Sequence, residues 1–168
     1  MARHRFYLPA VRRVRKLVPV SAYESFLGTD FTFADLGLVN LRGRKFSLLS
    51  EEMVAGVPAY KVQEIVAGAV FYYPRIVTWV AKDSMLPLRR DYYDAANHLW
   101  KAELYQDTAI IDGVPTVLRM RMEDRQQNTS TELRVSEVRY DATIPDDLFD
   151  PQRLPQASKH PLWTPAAP

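Results

Sequence analysis

Cysteine is absent from the 168-residue chain, which excludes disulfide staples, thiolate nucleophiles and Cys-ligated zinc or iron–sulfur centres. Glycine is scarce: the six residues present form no Walker loop, dinucleotide fingerprint or nucleophile elbow, and they read as turn residues. No apolar run reaches the roughly eighteen residues that a membrane-spanning helix needs. Neither charge sign dominates, since 22 Lys and Arg stand against 20 Asp and Glu, so totals give no reason to expect nucleic acid as a partner. His4, His98 and His160 lie too far apart for metal-ligand spacing, and nothing calls for a cofactor. The basic first nine residues are followed by no apolar h-region, so they do not read as a secretory signal.

What is present is an ordinary globular composition, 47% apolar and 25% charged, sufficient for one hydrophobic core. Helix signals are few: residues 33–36 after the potential cap Thr32, and 146–149 after Pro145. The informative segments alternate with period two. In residues 117–123, Leu118, Met120 and Met122 share one parity and Arg119, Arg121 and Glu123 the other, as in a strand half in a core. Residues 60–66 (Tyr60, Val62, Glu64, Val66) and 86–93 (Leu86, Leu88, Arg90, Tyr92) read the same way, whereas 75–82 is apolar on both parities, a strand covered on both faces or one facing a filled concavity. Turn residues fall between them at Ala55-Gly56, Ala67-Gly68, Asp83-Ser84, 95–98 and Asp112-Gly113, the last a strong type I′ hairpin signal. The final strand is expected over 131–140, with a bulge near Ser136 to keep Leu133, Val135, Val138 and Tyr140 on one face. The expectation is mainly β: a meander of about seven to nine antiparallel strands with little helix.

Three features compete with plainer explanations. The basic cluster Arg3, Arg5, Arg12, Arg13, Arg15 and Lys16 suits anionic headgroups or a partner protein, but also suits one solvated edge strand whose charges oppose aggregation. The acidic neighbours Glu51-Glu52, Glu123-Asp124 and Asp146-Asp147 would point to opposite faces of a strand and cannot share one site. Asn128-Thr129-Ser130 fits a glycosylation triplet short enough to arise by chance. With no nucleophile–base pattern visible, an enzyme is not expected.

The string Tyr7-Leu8-Pro9-Ala10-Val11-Arg12-Arg13-Val14-Arg15, then Ser25-Phe26-Leu27-Gly28-Thr29-Asp30-Phe31-Thr32-Phe33-Ala34-Asp35-Leu36 and Val77-Thr78-Trp79-Val80, resembles the outer-membrane lipoprotein-sorting, LolA-like family. Leu86-Pro87-Leu88-Arg89-Arg90-Asp91-Tyr92-Tyr93-Asp94, Thr131-Glu132-Leu133-Arg134-Val135 and Ile144-Pro145-Asp146-Asp147-Leu148-Phe149 extend the pattern over 7–154. The resemblance implies a curved antiparallel half-barrel around an apolar cavity, lidded by helices. It also implies a non-enzymatic periplasmic carrier of lipid or lipoprotein acyl chains, in outer-membrane lipoprotein sorting or beside an inner-membrane exporter of the resistance-nodulation-division type. Two departures stand out. The family's signal peptide and N-terminal strands have no counterpart before Tyr7, so the chain is expected to be the C-terminal part, with a sheet edge open to a homodimer. Asn97-His98 stands where the family commonly has Gly after Tyr-Tyr-Asp, a turn position that Asn tolerates.

Residues 1–154 are therefore expected to form the domain and 155–168, rich in Pro, an extended tail. Alternation nominates Tyr60, Val62, Trp79, Leu88, Tyr92, Leu118, Met120, Met122, Leu133 and Val135 as the cavity lining, with Arg12, Arg13 and Arg15 as contacts for headgroups or a partner. The alternative function is a non-catalytic β module that binds a cell-envelope complex through its basic strand or free edge.

Overall fold

In the computed structural model, residues 5–8, 13–16, 20–36, 43–66 and 72–157 are described. The chain divides into two compact units, Met1–Ala22 with Asp141–Pro168, and Tyr23–Tyr140. In the first, β1 (Arg5–Leu8) and β2 (Arg13–Lys16) pair antiparallel, Arg5 opposite Lys16 and Leu8 opposite Arg13. The basic segment is thus a two-stranded ribbon rather than one edge strand; β1 ends at Leu8, before Pro9, which has no N–H for a ladder. A 3-10 turn over Asp146–Phe149 and a short α-helix, Leu154–Ala157, follow in the same unit. Residues 158–168 of the expected tail lie outside the described residues.

The second unit is a meander. Strands β3 (Arg44–Val54), β4 (Val57–Val66), β5 (Arg75–Ala81), β6 (Pro87–Tyr93), β7 (Leu99–Ile111), β8 (Val114–Asp124) and β9 (Thr129–Arg134) pair antiparallel in that order. The sheet is curved and unclosed, with β3 and β9 at its ends. Two hairpins close as the sequence dictates: Ala55-Gly56 has φ of 50° and 84°, and Asp112-Gly113 has 50° and 79°. Both pairs meet the positive-φ demand of a type I′ turn, whose twist matches that of the flanking strands. Asn97, at φ 63°, and Asn128, at φ 55°, hold the left-handed position in turns at the other end of the sheet. The candidate turn at Ala67-Gly68 lies outside the described residues.

Two further expectations fail. Strand β9 stops at Arg134: Val135 N–H still reaches Leu118 O at 2.8 Å, but beyond it Tyr140 is held by its hydroxyl against Thr116 Oγ1 at 2.8 Å and by its N–H on Asp112 Oδ2. Side-chain anchors replace the ladder there, so no bulge at Ser136 is needed. Residues 33–36 form one turn rather than a helix, although the capping signal is genuine. Asp35 N–H donates to Thr32 Oγ1 at 3.2 Å and Thr32 N–H to Asp35 Oδ2 at 2.7 Å, the reciprocal pattern of a capping box.

Candidate functional site

The register assigns every side chain of the sheet to one of two faces. The Met122 face carries three successive cross-strand rows. The first contains Phe46, Glu64, Ile76, Tyr92, Lys101, Asp124 and Thr129; the second, Leu48, Val62, Thr78, Arg90, Glu103, Met122 and Thr131. Tyr60, Val80, Tyr105, Met120 and Leu133 form the third, and Leu118 and Val135 continue the same parity toward the Asp112-Gly113 hairpin. The opposite, Trp79 face is charged, with Lys61, Arg89, Asp91, Arg119, Arg121, Glu123 and Glu132 interleaved.

One end of the Met122 face is covered by residues 23–36. Phe31 packs with Tyr73, Ile76, Tyr92 and Met122, the last with no solvent exposure, while Phe26, Leu36, Trp100, Met120 and Leu133 border them. Asp30 fastens this segment: its carboxylate accepts from the hydroxyls of Thr129 and Thr131, its N–H donates to Thr131 Oγ1 at 3.0 Å, and Lys101 Nζ donates to its carbonyl at 2.6 Å. In place of the helical lid implied by the resemblance, the covering element among the described residues is this looped segment. Tyr72 stacks between Tyr23 and Trp100, at ring separations of 5.3 and 5.4 Å. A crevice of about 510 Å³ runs between the segment and the β8–β9 end, lined by Thr29, Trp100, Gln127 and Ser130 among others.

At the centre of the same face lies a polar group. Tyr92 donates to Glu103 Oε2 at 2.6 Å, and the Tyr105 hydroxyl hydrogen-bonds the same carboxyl. Burial pushes the Glu103 carboxyl above the usual carboxylate range, more than those hydrogen bonds and the Arg90 charge pull it down. Burial likewise raises the Tyr92 and Tyr105 hydroxyls, with the Glu103 charge adding to the shift. For Arg90, burial opposes the charge, and Tyr92, Tyr105 and Glu103 more than offset it, so its guanidinium is held protonated. Arg90 Nε donates to Thr78 Oγ1 at 3.3 Å and the guanidinium lies 6.0 Å from the Tyr105 ring centre, yet it forms no ion pair with a carboxylate among the described residues.

Of the ten nominated lining residues, Tyr60, Val62, Tyr92, Leu118, Met120, Met122, Leu133 and Val135 stand on the Met122 face. Trp79 stands on the other, where it donates to Glu52 between Lys61 and Arg89, which lie 4.9 and 5.4 Å from its ring. Leu88 joins it there, packed against the cluster of Ala59, Val77 and Trp79. The cause is a register shift: Trp79 opposes Arg89 but Val80 opposes Pro87, leaving Leu88 as an extra residue. Arg13 and Arg15 lie on β2, and Arg12 lies outside the described residues. The acidic neighbours separate as strand geometry requires: Glu51 pairs with Lys82, while Glu52 accepts from Trp79. Arg90, Glu103 and Tyr105 were not nominated. Their signal was Arg90 itself, a charge on an otherwise apolar parity. Among the described residues no cluster of His, Asp or Glu could hold a metal ion, and no helix is long and apolar enough to cross a membrane.

A family model described as "Uncharacterized protein" matches residues 3–156. No curated protein is detectably similar to the chain. Among solved structures, a DUF1329 family protein from Desulfovibrio piger ATCC 29098 is 34% identical, with a TM-score of 0.81 over 88% of this chain and 62% of its own. An outer membrane lipoprotein-sorting protein domain from Vibrio parahaemolyticus is 25% identical, with a TM-score of 0.83 over 91% of this chain and 66% of its own. A LolA superfamily protein from Nitrosomonas europaea shares the fold at 20% identity and a TM-score of 0.66, covering 88% of this chain and 66% of its own. The chain thus spans about three fifths to two thirds of the length of these proteins. The chain belongs to the DUF1329 family and has the curved, open-sheet fold of LolA-like lipoprotein-sorting proteins.

Proposed function

We propose that this chain is a non-catalytic carrier that holds acyl chains of lipids or lipoproteins against the Met122 face, working in the periplasm on lipoprotein sorting or exporter-linked lipid transport. The observation that carries the reading is the apolar part of the face that runs from the border of the covered cluster to the Asp112-Gly113 hairpin: Tyr60, Val80, Leu118, Met120, Leu133 and Val135, with Val62 in the neighbouring row, share one face of a curved, unclosed sheet. Hydrocarbon placed there gains about 0.8 kcal/mol per buried CH₂, and a methionine side chain adapts to chains of different shape. The kinship with lipoprotein-sorting proteins supports the same assignment.

The test uses delipidated full-length chain and a fluorescent fatty acid. Saturable binding is expected, weakened about tenfold or more by Leu118→Gln or Met120→Gln with a smaller loss of stability. Trp79→Leu, on the opposite face, is expected to lower stability and leave binding nearly intact. Absence of saturable binding would overturn the assignment. A second reading, a module that binds an envelope protein, is favoured by the edge strand β3, where Phe46, Leu48, Leu49 and Met53 are 53%, 59%, 47% and 63% exposed. A copurifying protein partner without extractable lipid would select it.

A further inference from the structure

The Met122 face is not uniformly apolar: Lys101 lies in the row beneath the covering segment with its Nζ on the Asp30 carbonyl, and Arg90 sits in the middle. Strand β6 is the fourth of seven, so Arg90 occupies the central strand, flanked in its row by Thr78 and Glu103. A charged side chain in such surroundings is costly unless matched by opposite charge close by. Glu103, the nearest candidate in the row, spends its carboxyl on the hydroxyls of Tyr92 and Tyr105 rather than on an ion pair with Arg90. The guanidinium carries five N–H donors in a planar fork, of which Nε is used on Thr78 and another on the Tyr92 hydroxyl. It is also only partly buried, and the next row is the apolar one of Tyr60, Val80, Met120 and Leu133. A polar row bordering an apolar row matches a molecule with the same division.

We propose that the ligand of this face is an acyl chain bearing an oxyanion, a carboxylate or a phosphate, whose charged end is held by the Arg90 guanidinium while the chain lies over the Val80 and Met120 row. The inference rests on the carrier assignment and narrows it to anionic amphiphiles. Burial raises the Glu103 carboxyl, which lessens competition from an ionised glutamate for the same guanidinium. A planar guanidinium binds carboxylate and phosphate through paired hydrogen bonds, whereas an ester offers it only neutral acceptors.

The test measures displacement of a fluorescent fatty acid from delipidated full-length chain by laurate, lauryl phosphate and methyl laurate. The expected result is that at least one anion binds about tenfold or more tightly than the ester, the order of a charge-assisted hydrogen bond, and that Arg90→Met narrows the gap to about twofold. The tighter of laurate and lauryl phosphate identifies carboxylate or phosphate as the natural terminus. Because Arg90→Met leaves Glu103 without its neighbouring cation, the double variant Arg90→Met with Glu103→Gln, checked by thermal unfolding, reports the same loss in a chain with both charges removed. Equal affinity for anions and ester, or a preference that survives both variants, would overturn the inference and leave the carrier assignment standing. Failure of all three compounds to bind would remove both.

Discussion

Asp30 holds the covering segment to the sheet through the hydroxyls of Thr129 and Thr131, and removing its carboxylate strips two charge-assisted hydrogen bonds at once. Asp30→Ala is expected to cost about 2 kcal/mol, read as a lower urea midpoint; a cost under about 0.5 kcal/mol would mean that the segment is held by packing alone. Glu103 acts in the opposite sense. Its carboxyl is raised in the folded chain, so the native state binds more protons than the unfolded state between the two values, and stability contributed by the neutral form falls as pH rises through that window. Glu103→Gln keeps an acceptor for Tyr92 and has no proton to lose. The stability of this variant relative to the wild type is therefore expected to grow from about pH 4 upward, as followed by urea unfolding at a series of pH values; a difference independent of pH would contradict the raised carboxyl. Neither role was visible in advance. Asp30 and Thr131 are far apart in sequence, and alternation cannot tell which of the apolar-parity residues surround Glu103.

Among the elements, the hairpins were the most legible part of the chain because a type I′ turn constrains residue type directly. Ala55 pays for the absence of the usual Asn or Gly there, since its Cβ disfavours φ of 50°. Ala55→Asn is expected to raise stability by about 0.5–1 kcal/mol. Gly113→Ala is expected to lower it by about 1 kcal/mol through backbone strain alone, because a Cβ at that position would meet no atom within 4 Å. Both shifts are measurable by chemical denaturation. Strand parity was legible where one face is apolar and the other polar, as in β8, and failed where that contrast is missing. Strand β5 buries Ile76 on one face and Val77 and Trp79 on the other, so its sequence could not say which side Trp79 takes. In β6 the extra residue Leu88 reverses the parity of the nominated lining. Arg90 follows that bulge, and a charged residue beside Leu88 and Tyr92 was the trace it left in the sequence.

For the whole molecule, the family pattern conveyed the curved sheet, while the division of its Met122 face into a covered aromatic end, a polar centre and two apolar rows emerges only from the register across all seven strands. That division is what the proposed carrier role depends on: the covering segment closes one end and leaves apolar rows on which that proposal would seat hydrocarbon. The most direct test is native mass spectrometry of the gently purified full-length chain, with organic extraction of the same sample. The account predicts an acyl-chain lipid retained at a defined ratio to the chain, released on extraction and taken up again when added back. A lipid-free chain that takes up no added lipid would contradict it.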